Sequence, residues 1–427
     1  MVTTFKKILR SKLIRSAGVY TISNLLNKAI PFFLLPLLTR YLTPQDYGIV
    51  SMFGVLVSLI TPLTGINLHS AIERMYFEKE TLDIREYIAN SLLLLIISTA
   101  IVSVIFYYFA QPIANLISLP TKLLWIAIVV SFAQFVSQIV LKLWQVQVKP
   151  FQYGIFKISE TFLNAMLSIW LVVSVGMAWQ GRIWAQFITV VIYFIIGMFM
   201  LFNNGWLKFK YNSDYVKHAL GFGLPLIPHA LTRVIMTMTD RIFITNMVGI
   251  ETTGIYTVGY QIGMVINLLA QSFSVAYTPW LFEKLKTNLY NVKIKIVKLT
   301  YVYFVGILAL ALGFSLLAPR FMNIFLGKEF SESSTYVTWV ALGYAFNGMY
   351  MMIGKYIFYA QKTKYLAGIT MGAGVLNIVL NYVLISWYGA IGAAQATTII
   401  YFLKFILVWM LSAKVYSMPW NLRRVKK

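Results

Sequence analysis

Seven charged residues fall inside long apolar stretches of this chain, and they bias the chemistry strongly. Lys28, Lys142, Arg233, Arg241, Lys355 and Lys404 are cations and Asp240 an acid, with the neighbours Lys157 and Glu160 near the start of another stretch set apart as a local pair. A charge at the bilayer centre costs roughly 2.5–3.5 kcal/mol on insertion scales, so such residues usually line a functional path. Six cations against one acid suit an anion. Arg233, Asp240 and Arg241 share the stretch Leu224 to Met247. His229, Arg233 and Asp240 stand there at i, i+4 and i+11, near one helical face. Pro225 and Pro228 open that stretch, and Pro31 and Pro36 follow Lys28, so all four are candidate bend points. The other reading of Asp240 with Arg241 is an internal pair that only fixes packing.

The remaining candidates are weaker. Arg40 has Asp46 nearby, and Arg74 has Glu73 and His69, so each reads as a gate or an interface charge. Lys142 and Lys355 lie near span ends, where their stems can snorkel to the interface. Lys157 and Glu160 are i, i+3 neighbours and are expected to pair. A sugar would want aromatic platforms and amides, and Trp144, Gln145, Gln147, Tyr256, Tyr260, Gln261, Asn267 and Gln271 are candidates. There are no cysteines, and three scattered histidines (His69, His218, His229) lack metal-ligand spacing. No carboxylate dyad, serine–histidine elbow or phosphate loop is present. The chain therefore reads as no enzyme, with no cofactor and no metal site.

The elements that must hold these residues are membrane spans. The chain has 427 residues, 59% hydrophobic and 11% charged, against about 25% charged in soluble domains. Twelve spans are expected at about 17–41, 48–70, 88–110, 123–146, 155–175, 183–202, 219–247, 254–282, 297–318, 336–359, 366–387 and 390–413, most with the ~20 apolar residues a crossing needs. With the N-terminus inside, 25 of the 36 basic residues fall in inner segments, 5 in outer ones and 6 within spans, as the positive-inside rule requires. The net charge of +23 is thus spent on topology, and no nucleic acid is implied. Both termini are expected in the cytoplasm. Residues 1–16 read as a basic amphipathic segment on membrane lipids, with no cleavable signal pattern, and 414–427 as a basic tail.

The two halves, 17–205 and 206–413, repeat. Leu42 to Ile49 lines up with Val248 to Ile255 at an offset of 206; Leu163-Asn164 matches Leu376-Asn377 and Gly176 matches Gly389 at 213; Gln147 and Gly154 match Gln361 and Gly368 at 214. An even repeat of six spans makes the copies parallel. The expected fold is therefore an all-α integral membrane protein: about twelve transmembrane helices in two pseudo-symmetric six-helix bundles with a central cationic cavity.

Arg40-Tyr-Leu-Thr-Pro-Gln-Asp-Tyr-Gly48, and Asp240-Arg241 followed by Gly254-Ile255-Tyr256, resemble the polysaccharide-biosynthesis flippases, the O-antigen and exopolysaccharide repeat-unit transporters of the multidrug/oligosaccharidyl-lipid/polysaccharide (MOP) exporter superfamily. The resemblance spans essentially the whole chain. It implies translocation, by alternating access, of an undecaprenyl-diphosphate-linked oligosaccharide across the bacterial cytoplasmic (inner) membrane for O-antigen, capsule or exopolysaccharide synthesis. Polymerase and other polysaccharide-assembly membrane proteins would be its partners. Lys28, Arg233 and Arg241 fit the diphosphate role, with Asp240 orienting Arg241. The alternatives are a cation-coupled multidrug exporter of the same superfamily, which wants buried acids, a lipid II-type precursor flippase, and a membrane glycosyltransferase, which wants a catalytic acid and a large outer loop.

Overall fold

The computed structural model describes residues 12–80 and 82–421. The expected segment 1–16 therefore lies almost wholly outside the described residues, as does the end of the basic tail. Sixteen α-helices follow one another: α1 (Lys12–Tyr41), α2 (Pro44–Gly65), α3 (Leu68–Met75), α4 (Ile84–Tyr108), α5 (Ala110–Ile117), α6 (Thr121–Val146), α7 (Pro150–Ile169), α8 (Ala178–Asn203), α9 (Ser213–Gly223), α10 (Leu226–Met247), α11 (Ile250–Gly263), α12 (Val265–Lys286), α13 (Tyr290–Phe325), α14 (Ser334–Tyr359), α15 (Thr363–Tyr388) and α16 (Ala390–Val415). Among the described residues there is no strand. Among the described residues ten stretches are long and apolar enough to cross a membrane. The protein is thus an all-α, multi-spanning membrane protein.

The boundaries differ from the expected spans where side chains redirect the backbone. The second span stops at Gly65, because Ile66 and Asn67 turn left-handed (φ 45° and 50°). Arg74, Glu73 and His69 therefore sit on the separate helix α3. The seventh span is two helices broken at Leu224-Pro225, where proline denies the helix a donor. The eighth breaks at Met264 into α11 and α12. The tenth, α14, is a single 26-residue helix buried along most of its length. It packs against protein, which removes the need for a lipid-like composition.

Local chemistry sets the helix starts. Thr43 and Asp46 form a reciprocal capping box on α2, Asp46 N–H to Thr43 Oγ1 at 3.1 Å and Thr43 N–H to Asp46 Oδ2 at 3.0 Å, with Pro44 in the first turn. Asp83 caps α4, and Asn212 caps α9 through the N–H groups of Asp214 and Tyr215. A π-helical turn, Trp170–Ser174, closes α7.

The repeat is visible in the backbone. α1 ends at Tyr41 and α10 at Met247, 206 residues apart, and the caps of the next helices, Thr43 and Gly249, share that offset. α7 begins at Pro150 and α15 at Thr363, 213 apart. At the same offset Gly176 and Gly389 both have positive φ (73° and 64°), as do Val148 and Gln361 (55° and 57°). Gln361 is therefore the counterpart of Val148, one residue from its sequence pairing with Gln147.

The chain divides into two units, 1–234 and 235–427, at a point within α10. In unit 1, α1 packs on α7, and α2 and α8 flank α6. At one end of this unit the segments after α3, α6 and α8 meet: Tyr76 and Trp206 rings lie 6.0 Å apart, and Lys208 N–H donates to Arg85 O at 3.3 Å. At the other end Lys122 lies 6.0 Å from the Trp179 ring. In unit 2, α14 is central, packed by α11, α12, α13 and α16. Its Lys293 and Tyr359 both lie against Tyr416, at 5.0 and 5.6 Å. Each grouping joins segments that the charge pattern assigns to one side.

Gly389 joins α15 to α16 at φ 64°, ψ −150°, a region essentially closed to other residues, at a cost of about 1–3 kcal/mol. Gly368 lies within α15 with open space around it, and a helical Gly→Ala gains up to ~1 kcal/mol. Gly389→Ala should lower the thermal unfolding midpoint in detergent, whereas Gly368→Ala should hold or raise it. Equal behaviour of the two would contradict the repeat geometry.

Candidate functional site

The first candidate region is the seam between α1 and α7 in unit 1. Close approach is possible because Gly154 faces Ser23, whose Oγ would lie 2.5 Å from any added Cβ. Beside this contact runs a polar ladder. Lys157 Nζ donates to Asn24 Oδ1 (2.8 Å) and to the Tyr153 hydroxyl (3.1 Å), and Tyr153 donates to Asn24 Oδ1 (3.2 Å). Asn27 Nδ2 donates to Lys157 O (3.1 Å) and to Thr161 Oγ1. Lys28, exposed on the next position of α1, is within electrostatic reach of Lys157. The expected Lys157–Glu160 ion pair does not form among the described residues, because Lys157 turns to α1 instead. Glu160 still feels its charge.

A second group in unit 1 joins α3, α6 and α10. Lys142 Nζ meets Glu73 at 2.6 Å, so it is held by an ion pair where snorkelling was expected. His69, edge-on to Phe135 at 5.9 Å, is electrostatically coupled to Lys142, Glu73 and Arg233. Arg233 itself is exposed on α10. Arg74 forms a surface pair with Glu78 at 2.6 Å, one turn on, and not with Glu73. Such an exposed pair contributes about 0.3–0.5 kcal/mol. Arg40 ends α1 exposed, and its expected acid, Asp46, is committed to the capping box.

In unit 2 the charges are enclosed. Asp240 and Arg241 are 5% and 7% exposed. Arg241 Nη1 donates to Asp240 Oδ1 (3.1 Å) and to Thr237 O (2.9 Å), and Tyr256 donates to Asp240 Oδ2 (2.6 Å). The guanidinium lies 4.5 Å from the Tyr260 ring, and Tyr260 and Tyr344 hydroxyls are 2.6 Å apart. Asp240 does hold Arg241, as expected, but the bonds it supplies neutralise the cation. Tyr256 and Tyr260, expected as sugar platforms, are part of this brace. Lys404 is likewise buried, donating to Asn347 Oδ1 (2.9 Å) between the rings of Tyr350 (4.2 Å) and Tyr401 (4.6 Å). Lys355 is half-buried on α14.

Two functional-looking cations escape a charge count by segment. Lys157 lies seven positions into α7, about 10 Å along it, although the pattern placed it in an inner loop. The stripe Tyr20, Asn24, Asn27, Lys28 on α1, at i, i+4, i+7 and i+8, is the signal that a polar partner faces it. Arg182, counted with an outer loop, sits on α8 with Nη1 donating to Asn164 Oδ1 (2.7 Å) and Ser168 Oγ (3.0 Å) beside the π-helical turn. Both cations are bonded by neutral groups, which satisfy their donors and leave their charge in place. Among the described residues no cluster of His, Asp and Glu could hold a metal ion.

Known proteins align with this architecture. The family profile described as polysaccharide biosynthesis protein matches residues 13–285. A protein of the Lsg locus of Haemophilus influenzae is 23% identical over 408 residues, covering 92% of this chain and 98% of that protein. The capsular polysaccharide biosynthesis protein CapF of Staphylococcus aureus is 23% identical over 427 residues, covering 95% of this chain and all of that one (100%). Among solved structures, the lipid II flippase MurJ in an inward closed conformation superposes with a TM-score of 0.75 at 17% identity, covering 92% of this chain and 87% of that one.

Removing one partner of a buried ion pair costs about 3–5 kcal/mol, whereas an exposed cation contributes little to stability. Arg241→Ala should therefore sharply lower the thermal midpoint and the monodisperse yield in detergent, while Arg233→Ala and Lys28→Ala leave both near wild type. A stable Arg241→Ala protein would return Arg241 to the ligand-binding candidates.

Proposed function

The chain belongs to the polysaccharide biosynthesis protein family, membrane transporters of the MOP superfamily, and on that premise we propose that it flips a lipid-linked oligosaccharide. The substrate is an undecaprenyl-diphosphate-linked repeat unit, moved from the cytoplasmic to the periplasmic leaflet by alternating access. The product would feed a polymerase and the other membrane proteins of polysaccharide assembly. Both chain termini are assigned to the cytoplasm, from the placement of the basic residues.

The observation that carries this reading is the facing pair Lys28 and Lys157. Two cations within electrostatic reach on adjacent helices repel each other strongly in a low dielectric. Asn24 and Tyr153 support Lys157 through neutral groups, so an anion bound beside the two cations relieves the repulsion. A diphosphate carries the charge to do so, and a polyisoprenyl tail can stay in the bilayer meanwhile. We assign Lys28, Lys157, Arg233 and Arg182 to the head group, with Arg241 and Asp240 as a brace. Lys142 and Arg74 are spent on Glu73 and Glu78, and Arg40 and Lys355 are secondary. The exporter reading is disfavoured because its one buried acid in α10, Asp240, is already consumed by Arg241 and Tyr256.

The decisive experiment reconstitutes the protein in proteoliposomes with an undecaprenyl-diphosphate-linked oligosaccharide. A lost charge-assisted bond costs about 1.5–3 kcal/mol, which is roughly a 10- to 150-fold effect. Wild type should translocate the lipid, and Lys28→Ala, Lys157→Ala, Arg182→Ala and Arg233→Ala should each slow it at least tenfold without loss of folded protein. Export of a cationic dye in place of the lipid would establish the exporter. Faster movement of lipid II than of the oligosaccharide lipid would establish the precursor flippase. Wild-type rates in all four variants would remove the cationic site.

A further inference from the structure

A second concave site lies at one end of unit 1, away from the span cations. Its volume is about 410 Å³, within the roughly 300–1,000 Å³ range of small-molecule pockets. Tyr76, Lys79, Asp83, Arg85, Asn204 and Trp206 supply its chemistry. It forms because the segments following α3 and α8 fold against each other: Gly205 turns at φ 65°, which brings Trp206 back toward Tyr76. The two rings are 6.0 Å apart and inclined at 41°, so they make the walls of a cleft and do not stack on each other.

The polar groups of this cleft are locked in place. Asp83 accepts a two-pronged contact from Arg85, Nε to Oδ1 and Nη2 to Oδ2, both at 2.9 Å, and Lys208 Nζ approaches Oδ2 at 3.2 Å. The Arg85 hydrogen bonds, followed by that of Lys208, hold the Asp83 carboxyl well below the usual carboxylate range despite some desolvation. With the Arg85 backbone N–H also on Oδ1, each oxygen holds two donors, so Asp83 serves to fix Arg85 and Lys208 in the cleft wall. Lys208 is further tied to Glu86 at 2.6 Å. Asn204 uses its Nδ2 on Met200 O at 2.8 Å, which leaves its exposed Oδ1 facing outward as an acceptor.

This set discriminates between ligand classes. A phosphate-bearing head is held by uncommitted cations, yet Arg85 and Lys208 are already engaged by Asp83 and Glu86. Lys79 remains, 4.9 Å from the Tyr76 ring. What the cleft offers instead is a wall of two aromatic rings, an amide oxygen and a charged pair already fixed in place. A sugar ring fits those groups: its apolar C–H face covers an aromatic wall, and a hydroxyl donates to an amide oxygen. We propose that this cleft is a saccharide-binding site that takes a pyranose ring of a glycan head group. Trp206 with Tyr76 forms the wall for the C–H face, and Asn204 Oδ1 takes a hydroxyl proton. The proposal rests on the lipid-linked-oligosaccharide reading, and it places the first contact with the glycan at the membrane rim, separate from the diphosphate contacts in the span.

The test uses the full-length protein in nanodiscs and saturation-transfer difference NMR. The probes are the methyl glycosides of glucose, galactose, N-acetylglucosamine, N-acetylgalactosamine and glucuronic acid, with glycerophosphoglycerol as a lipid-head control. At least one glycoside should receive saturation on its ring protons. That signal should fall at least fivefold in Trp206→Ala and in the exposed-site variant Asn204→Ala, and persist in Trp206→Phe. Size-exclusion profiles identify folded variants, and the exposed Asn204→Ala carries the test where Trp206→Ala does not fold. No saturation of any glycoside, signals unchanged in both alanine variants, or equal binding of glycerophosphoglycerol would overturn the proposal. Running the translocation assay in parallel separates the two claims. Flipping without glycoside binding sinks the cleft alone, and glycoside binding without flipping supports the cleft and sinks the transport reading.

Discussion

Everything in this molecule that is not generic hydrophobic packing follows from one constraint: a charge placed among membrane spans must be neutralised, solvated or bound. The two units meet the constraint in opposite ways. Unit 2 encloses its charges. Arg241 is paired with Asp240, the free oxygen of Asp240 accepts from Tyr256, and Tyr260 covers the guanidinium face. Lys404 is 6% exposed between two tyrosine rings and Asn347. Unit 1 pairs Lys142 with Glu73 but gives Lys157 and Arg182 neutral hydrogen-bond partners, Asn24 and Tyr153 for one and Asn164 and Ser168 for the other, with Glu160 in electrostatic reach of Lys157. Neutral partners satisfy hydrogen bonds but leave the field of the cation intact. The enclosed charges stabilise one arrangement, and the uncancelled charges are available to a ligand.

The same contrast bears on energy coupling. A carboxylate that exchanges protons or sodium needs lone pairs free for the incoming cation. Asp240 has its two oxygens bonded to the Arg241 backbone and side chain and to Tyr256. Breaking that set to admit an ion would strand the Arg241 charge in the core, a change of several kcal/mol. Asp240 is therefore committed to holding Arg241 among its neighbours.

The sequence made the membrane class, the helix-rich architecture and the repeat legible, because spans announce themselves by long apolar runs and the turns that join them need special residues. Gly176 and Gly389 sit where φ is positive, and Thr43-Pro44-Gln45-Asp46 is a readable helix start. Asp240 beside Arg241 was also readable as a pair. What the sequence could not convey was partner choice across helices. Lys142 looked like a snorkelling residue because its partner Glu73 is 69 positions earlier, on a short helix that hydropathy merges with the preceding span. Lys157 looked paired with Glu160 because i, i+3 spacing is visible and the interhelical Asn24 is not. Arg182 was lost for a related reason: helix α8 begins at Ala178, so a residue assigned to a loop enters the bundle.

The repeat itself explains why the two solutions coexist. At the backbone offset of 213, Asn164 corresponds to Asn377, yet Lys157 corresponds to Thr370 and Arg182 to Gln395. Conversely Lys404 corresponds to Val191, and at the offset of 206 Asp240 and Arg241 correspond to Leu34 and Leu35, both buried in unit 1. Lys142 and Lys355, by contrast, correspond to each other at 213, so the units differ at several charged positions and agree at this one. The polar scaffold residue, asparagine on the fifth span of each half, is retained in both. In unit 1 it holds Arg182 at 2.7 Å, and in unit 2 its carbonyls accept from Asn381 at 2.9 and 3.1 Å. A duplicated scaffold thus carries an enclosed ion pair in one copy and cations with neutral hydrogen-bond partners in the other, while the two halves still match in backbone.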